Sequence, residues 1–272
     1  MKTLKRISIV TLCMIFVIAS LVCPAAAEET EPTPKKFIKW MTFTVPYEAL
    51  VKAKDIDIQS HDDTLKINWV DLLAYLGAKY GGNWKKFCEK DMTALVEKLK
   101  SGQSMTELTK ELKYYNFFHE TYDAVLSNFI GDYQIEVPDG NGGKRLENQF
   151  GLKVFSPIAK GYGYSHYDDF GDSRSFGFRR RHTGNDLLGS VGTPIIAVEG
   201  GVVEAFGWNR YGGWRIGIRS FNKKRSYYYA HLRKNHPYAK DLKQGQIVKA
   251  GDVIGYLGMT GYSYKENANN MT

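Results

Sequence analysis

The hydrophobic period changes once along this 272-residue chain, near residue 130, and that change restricts the fold to helices first and strands second. Upstream, apolar residues recur every three to four positions. Asn68 precedes Trp69, Leu72, Leu73 and Leu76, a run that predicts a capped helix ending near Gly77 or at Gly81-Gly82. Met92, Leu95, Val96 and Leu99 keep the same period. Ser104 and Glu107 form an S-x-x-E capping box ahead of Leu108 and Leu112, and Tyr115, Phe118, Tyr122, Val125, Leu126 and Phe129 line one face of a further helix. Trp40, Trp69, Trp84, Tyr114, Tyr115, Phe117 and Phe118 fit a helical core by their spacing better than a sugar-stacking platform.

Downstream the runs are short and β-branched or aromatic, at 195–198, 202–206, 214–219, 226–232, 247–248 and 253–257. Gly200-Gly201, Gly212-Gly213 and Asn222-Lys223-Lys224 read as hairpin turns between them. Residues 131–153 carry Pro138-Asp139-Gly140 and Asn141-Gly142-Gly143, turn signals that read as a linker. The expected fold class is α+β, with a helical N-terminal domain over 37–130 and an antiparallel β-sheet domain over 154–272.

Residues 1–27 are excluded from that fold. Lys2, Lys5 and Arg6 precede an uncharged apolar run to Val22, and Ala25-Ala26-Ala27 offers small residues for cleavage, so the segment reads as a secretory signal peptide. An uncleaved membrane anchor is the alternative. Residues 28–36, acidic and Pro-bearing, read as a linker. Cleavage removes Cys13 and Cys23, which leaves Cys88 as the one thiol and no intramolecular disulfide. The net charge of +8 falls to +5 without the three signal cations. That balance suits an anionic polymer outside the cell, and export disfavours nucleic acid.

His182 and Asp186 stand four residues apart in H-T-G-N-D, offering an imidazole and a carboxylate, two of the donor types that hold zinc. The spacing alone is weak, and the flanking pattern discriminates. Arg179-Arg180-Arg181 precede it, and Gly189-Ser190-Val191-Gly192-Thr193-Pro194 leads into a strand. Tyr229-Ala230-His231-Leu232, then Gly245 to Gly255, then Gly258-Met259-Thr260-Gly261-Tyr262-Ser263 follow in order. From about Phe176 to Ser263 this set resembles the M23 family of zinc metallopeptidases, the lysostaphin-like peptidoglycan endopeptidases.

The resemblance implies that His182 and Asp186 bind Zn2+, that His231 acts in catalysis, and that the substrate is the peptide stem or cross-bridge of cell-wall peptidoglycan. The family's remaining zinc ligand comes from an H-x-H strand shortly after the G-x-T-G-x-S turn. Here Tyr264 to Thr272 reads instead as an unanchored polar loop, so the chain is expected to be truncated, to bind zinc weakly and to hydrolyse little. His166 and His236 are weaker candidates for the third ligand. A catalytically inactive wall-binding or scaffold protein is the alternative function. Cys88 and His119, imagined as a nucleophile and base, read more simply as a buried cysteine and an exposed histidine.

Overall fold

In a computed structural model that describes residues 43–270, the helical period becomes α1 (Tyr47–Gln59), α2 (Trp69–Tyr80), a 3-10 turn (Trp84–Lys86), α3 (Glu89–Lys100), α4 (Met105–Thr109) and α5 (Tyr115–Leu126). The expected signal peptide, the 28–36 linker and Trp40 lie outside the described residues. Asn68 caps α2 as its sequence predicts, its Oδ1 accepting from the Val70 N–H at 2.8 Å, and Gly81 ends the helix at φ 61°. Both arms of the Ser104–Glu107 capping box form. The helix it starts is only five residues long and stops before Leu112, and Thr109 donates its hydroxyl back to the Met105 carbonyl at 2.8 Å.

Leu72, Leu73, Leu76 and Met92 are completely buried between these helices. Removal of each such side chain from water contributes about 1.5–3 kcal/mol. Trp84 donates its indole N–H to the Tyr122 hydroxyl at 2.8 Å, so the one polar atom of each ring is satisfied inside the core. Two expectations fail here. Tyr114 and Phe117 are exposed, because their positions on α5 and its entry turn away from the stripe carrying Phe118 and Tyr122. Cys88 is also exposed, since it occupies the N-cap of α3 rather than its buried face.

The stretch read as a linker is a β-hairpin. Strands β1 (Ile130–Pro138) and β2 (Lys144–Leu152) pair antiparallel along their whole length. The turn signals sit at its tip, where Asp139 Oδ1 accepts from the Asn141 and Gly143 N–H groups at 2.8 Å each. Its strands alternate without a strongly apolar face, and a polar ribbon of this kind escapes a search for hydrophobic period. At its root the Phe150 ring stacks on His61, centroids 3.5 Å apart, and so fixes the ribbon to the end of α1.

The remaining strands are β3 (Tyr164–Tyr167), β4 (Ser173–Arg174), β5 (Arg180–Arg181), β6 (Asp186–Gly189), β7 (Pro194–Ile196), β8 (Gly201–Asn209), β9 (Gly213–Ser220), β10 (Ser226–Tyr229), β11 (Ile247–Val248) and β12 (Val253–Tyr256). Four of them form a sheet in the order β10-β9-β8-β11, while β3 pairs with β6, β4 with β5 and β7 with β12, all antiparallel. Ile216, Ile218, Ile254, Leu232 and Val203 make a second core beneath them. The α+β class therefore holds. The 212–213 and 222–224 turns join β8 to β9 and β9 to β10 as expected, whereas Gly200-Gly201 is no hairpin turn. Gly201 opens β8, where any Cβ would strike the Arg219 carbonyl of β9.

The helical and β parts meet across a buried ion pair. Arg225 spans Glu199 with both arms of its guanidinium, at 2.9 and 2.8 Å, and donates to the Ala124 and Ser127 carbonyls at the end of α5 at 3.0 and 2.7 Å. A cation at a helix C-terminus also complements its dipole. The 264–270 segment is anchored, contrary to its polar composition: Asn267 Oδ1 accepts from the Trp214 indole N–H at 2.9 Å and from the Asn235 N–H at 3.0 Å. Among the described residues no helix is long and apolar enough to cross a membrane.

Candidate metal centre

His182 and Asp186 converge because the chain enters β6 at Asp186 after a short turn through Gly184. His182 is itself held in register by backbone bonds with Asp172 and Gly171, both 2.8 Å. His182 Nε2 and Asp186 Oδ1 stand 3.7 Å apart. Two ligands on a tetrahedral zinc with bonds near 2.1 Å are separated by roughly 3.4 Å, so the pair needs only a slight adjustment to share an ion.

Two further residues, unnoticed in the sequence, complete the cluster. Asp169, 1% exposed, places Oδ2 3.0 Å from His182 Nδ1, and its Oδ1 accepts from the Asp186 N–H at 3.2 Å. Arg174 on β4 reaches Asp169, His182 Nδ1 at 3.2 Å and Asp186 Oδ2 at 3.3 Å. One ligand atom from each of Asp169, His182 and Asp186 lies within 4.8 Å of the others. Both Asp169 oxygens are already engaged, which suits it to orienting the imidazole rather than to holding an ion. With the proton on Nδ1, facing that carboxylate, Nε2 presents a lone pair on the Asp186 side.

The electrostatics leave this cluster one positive charge short. Burial pushes the Asp186 carboxyl above the usual range, and a hydrogen bond to Asp169 with its negative charge adds to the rise. Burial acts on Asp169 in the same direction but is outweighed by hydrogen bonds from Asp186 and Arg174, so its carboxyl is held low. Two carboxylates share one guanidinium, and Asp186 is the one whose ionised form is disfavoured. A divalent cation held by Asp186 and His182 would supply the missing positive charge. The donor types, their spacing and the charge deficit fit a divalent cation such as zinc, with two of its protein ligands in place.

His231 follows β10 with φ at 57°, a conformation costly for a side chain with a Cβ. It is held there by a bond of 2.7 Å between Nδ1 and the Thr260 carbonyl, and by stacking on Tyr262, centroids 5.4 Å apart. Thr260 is wholly buried and donates its hydroxyl to the Leu232 carbonyl at 2.6 Å. Gly261 is required in this turn, since a Cβ at its φ of 115° would lie 2.8 Å from His231 Nδ1. A carbonyl only accepts, so Nδ1 carries the proton and Nε2 is the free acceptor. Burial lowers the pKa of His231, with the Thr260 bond opposing, and keeps the ring neutral near pH 7.

The other candidates lie apart from this cluster. His166 sits on β3 opposite Leu187 and is exposed, and the His236 ring faces Tyr256. His119 pairs with Asp71 at 3.0 Å, and Cys88 stands at the N-cap of α3. A 370 Å³ pocket lined by Asp57, His61, Lys66 and Asp123 lies between the helices and the β1–β2 hairpin, away from the cluster.

The family model for peptidase family M23 matches residues 180–269, a segment that contains His182, Asp186 and His231 but neither Asp169 nor Arg174. Over 99 residues the chain is 50% identical to the L-Ala–D-Glu endopeptidase of Bacillus subtilis (strain 168), covering 36% of this chain and 29% of that one. Lysostaphin of Staphylococcus simulans is 37% identical over 105 residues, 38% of this chain and 19% of its own. The peptidoglycan DD-endopeptidase ShyC of Vibrio cholerae is 32% identical over 141 residues, 52% of this chain and 29% of its own. The chain thus matches less than a third of each relative's length. A crystal structure of lytM from Ruminococcus gnavus shares the fold at a TM-score of 0.50 and 20% identity, covering 84% of this chain and 76% of that one. With the facing imidazole and carboxylate inside the matched segment, residues 180–269 are a domain of peptidase family M23 of the lysostaphin-like kind.

Proposed function

We propose that this protein is an exported zinc metalloendopeptidase that hydrolyses a peptide bond in the stems or cross-bridges of cell-wall peptidoglycan. The carrying observation is the approach of His182 Nε2 and Asp186 Oδ1 to 3.7 Å within the 180–269 segment that matches peptidase family M23. His182 and Asp186 hold the ion, and Asp169 keeps the His182 ring turned so that Nε2 faces it. Zinc, when bound, polarises the scissile carbonyl and lowers the pKa of its water to roughly 7. His231, neutral and with Nε2 free, accepts a proton from the attacking water, while its bond to Thr260 fixes the ring during the transfer. The net positive charge suits attraction to an anionic wall, and the protein reaches it through the 1–27 signal peptide, or stays membrane-anchored if that segment is retained. The helical part, 37–130, is a separate domain from the 154–272 peptidase domain in this reading, with the β1–β2 ribbon between them.

A second reading is an inactive wall-binding module, in which His182 Nε2 and Asp186 Oδ1 hold no ion tightly. The experiment that separates the two incubates purified peptidoglycan with the protein and measures new amino termini. Release that a chelator abolishes and added Zn2+ restores is the expected result. Sedimentation with the wall but no release at saturating Zn2+ would establish the binding module instead.

A further inference from the structure

Next to His231 the surface carries a ladder of alternating rings and guanidinium groups. Tyr262 stacks on His231 and is in electrostatic contact with Arg174 of the carboxylate cluster. The Arg180 guanidinium lies over Tyr262 at 5.6 Å and over Tyr211 at 4.9 Å. Arg210 covers Tyr211 as well, at 4.6 Å, and Tyr264 at 5.6 Å. Arg180 is half-buried and pinned by a 2.7 Å bond from Nη1 to the Phe176 carbonyl. Each contact of this type fixes a side chain that is otherwise rich in rotamers, so the guanidinium forks are set before any ligand arrives.

Among the described residues Arg179, Arg180, Arg181, Arg210, Arg215 and Arg233 have no carboxylate partner, and of these Arg180 and Arg210 are the two that lie over tyrosine rings. Arg210 also donates to the Tyr211 hydroxyl, and two cations held against one tyrosine leave this patch positive, a charge that an anion would offset. The rings themselves are less available to a sugar, because the guanidinium groups already lie over Tyr211 and Tyr262. This patch is therefore better suited to a carboxylate than to a neutral glycan.

We propose that Arg180 and Arg210 are specificity-determining residues that bind a carboxylate of the substrate peptide beside the bond to be cut, selecting an acidic residue over a neutral one. The inference rests on the peptidase reading above for its substrate, and Arg–carboxylate bonds supply the discrimination.

The test measures binding of N-acetyl-L-Ala-D-Glu-amide and N-acetyl-L-Ala-D-Gln-amide to the metal-free full chain by calorimetry. The two probes differ only in a carboxylate against a carboxamide. The acidic probe should bind about tenfold tighter, as a charge-assisted pair requires. R180M and R210M should each reduce that preference, and the double variant should remove it. Because Arg210 is exposed, R210M gives an answer even if R180M fails to fold. Equal affinity for the probes, binding of neither, a preference that survives the double variant, or displacement of the acidic probe by a neutral chito-oligosaccharide would each overturn the proposal. Amino-terminus release from peptidoglycan is scored separately on the same preparation. Preference without release defeats the peptidase reading alone, and release without preference defeats the arginine assignment alone.

Discussion

Two arginine–carboxylate networks in this protein resemble each other in chemistry and differ in balance. At the junction with the helices, Glu199 receives two bonds from Arg225, one from Asn128 at 3.1 Å and one from the Tyr227 hydroxyl at 2.8 Å. One anion meets one cation, and every lone-pair direction is used. In the candidate metal centre Arg174 serves Asp169 and Asp186 together, and one guanidinium faces two carboxylates. A closed network locks two parts of a fold together, while a deficient one reserves a place for a ligand.

The comparison predicts its largest effect in the closed network. R225M should destabilise the protein by about 3–5 kcal/mol, because it strands Glu199, only 4% exposed, without its counter-ion. Urea unfolding measures this, and the E199Q/R225M double variant should lose less than the two single losses combined. A loss below about 1 kcal/mol for R225M would remove the distinction between the networks.

In the open network, H182A and D186N should weaken Zn2+ binding at least roughly a hundredfold in chelator competition. D186N should leave the metal-free melting temperature unchanged or higher, since it removes the crowded second carboxylate; a clear fall would show that network to be as closed as the first. D169N should cost less, about tenfold in Zn2+ affinity, because its amide oxygen still accepts from His182 Nδ1 while the charge is gone.

The smallest effect is a pH dependence. Burial alone would raise the pKa of Glu199, but bonds from Arg225, Asn128 and Tyr227 outweigh it and hold the carboxyl low. Its stabilising contribution is then complete above the unfolded glutamate pKa, about 4.3, and disappears as pH falls through the lower native value. E199Q should flatten this part of the acid limb in melting scans between about pH 5 and 2.

Much of the fold was legible where the signal is local. Asn68 and the Ser104–Glu107 box mark helix starts because a cap depends on residues two or three positions away. The strand runs of the β part were visible for the same reason. The β1–β2 ribbon was missed because its turn residues are conspicuous and its polar faces carry no hydrophobic period. Asp169 and Arg174 were missed because they precede His182 by 13 and 8 positions in an irregular segment. A metal-bound histidine nearly always has a partner on its other nitrogen, so a search for an upstream acid near the D-D-F-G-D-S-R segment was the available clue.

The order of helices and strands, the adjacency of His182 and Asp186, and the glycine turn at 258–261 follow from the sequence by itself, since each depends on residues close together in the chain. Only the tertiary structure decided that Asp169 faces His182 Nδ1, that one guanidinium serves two carboxylates, and that Thr260 turns the free nitrogen of His231 away from its own bond. Those contacts join residues brought together by antiparallel pairing of separate strands, and their energies depend on burial, which no local period encodes.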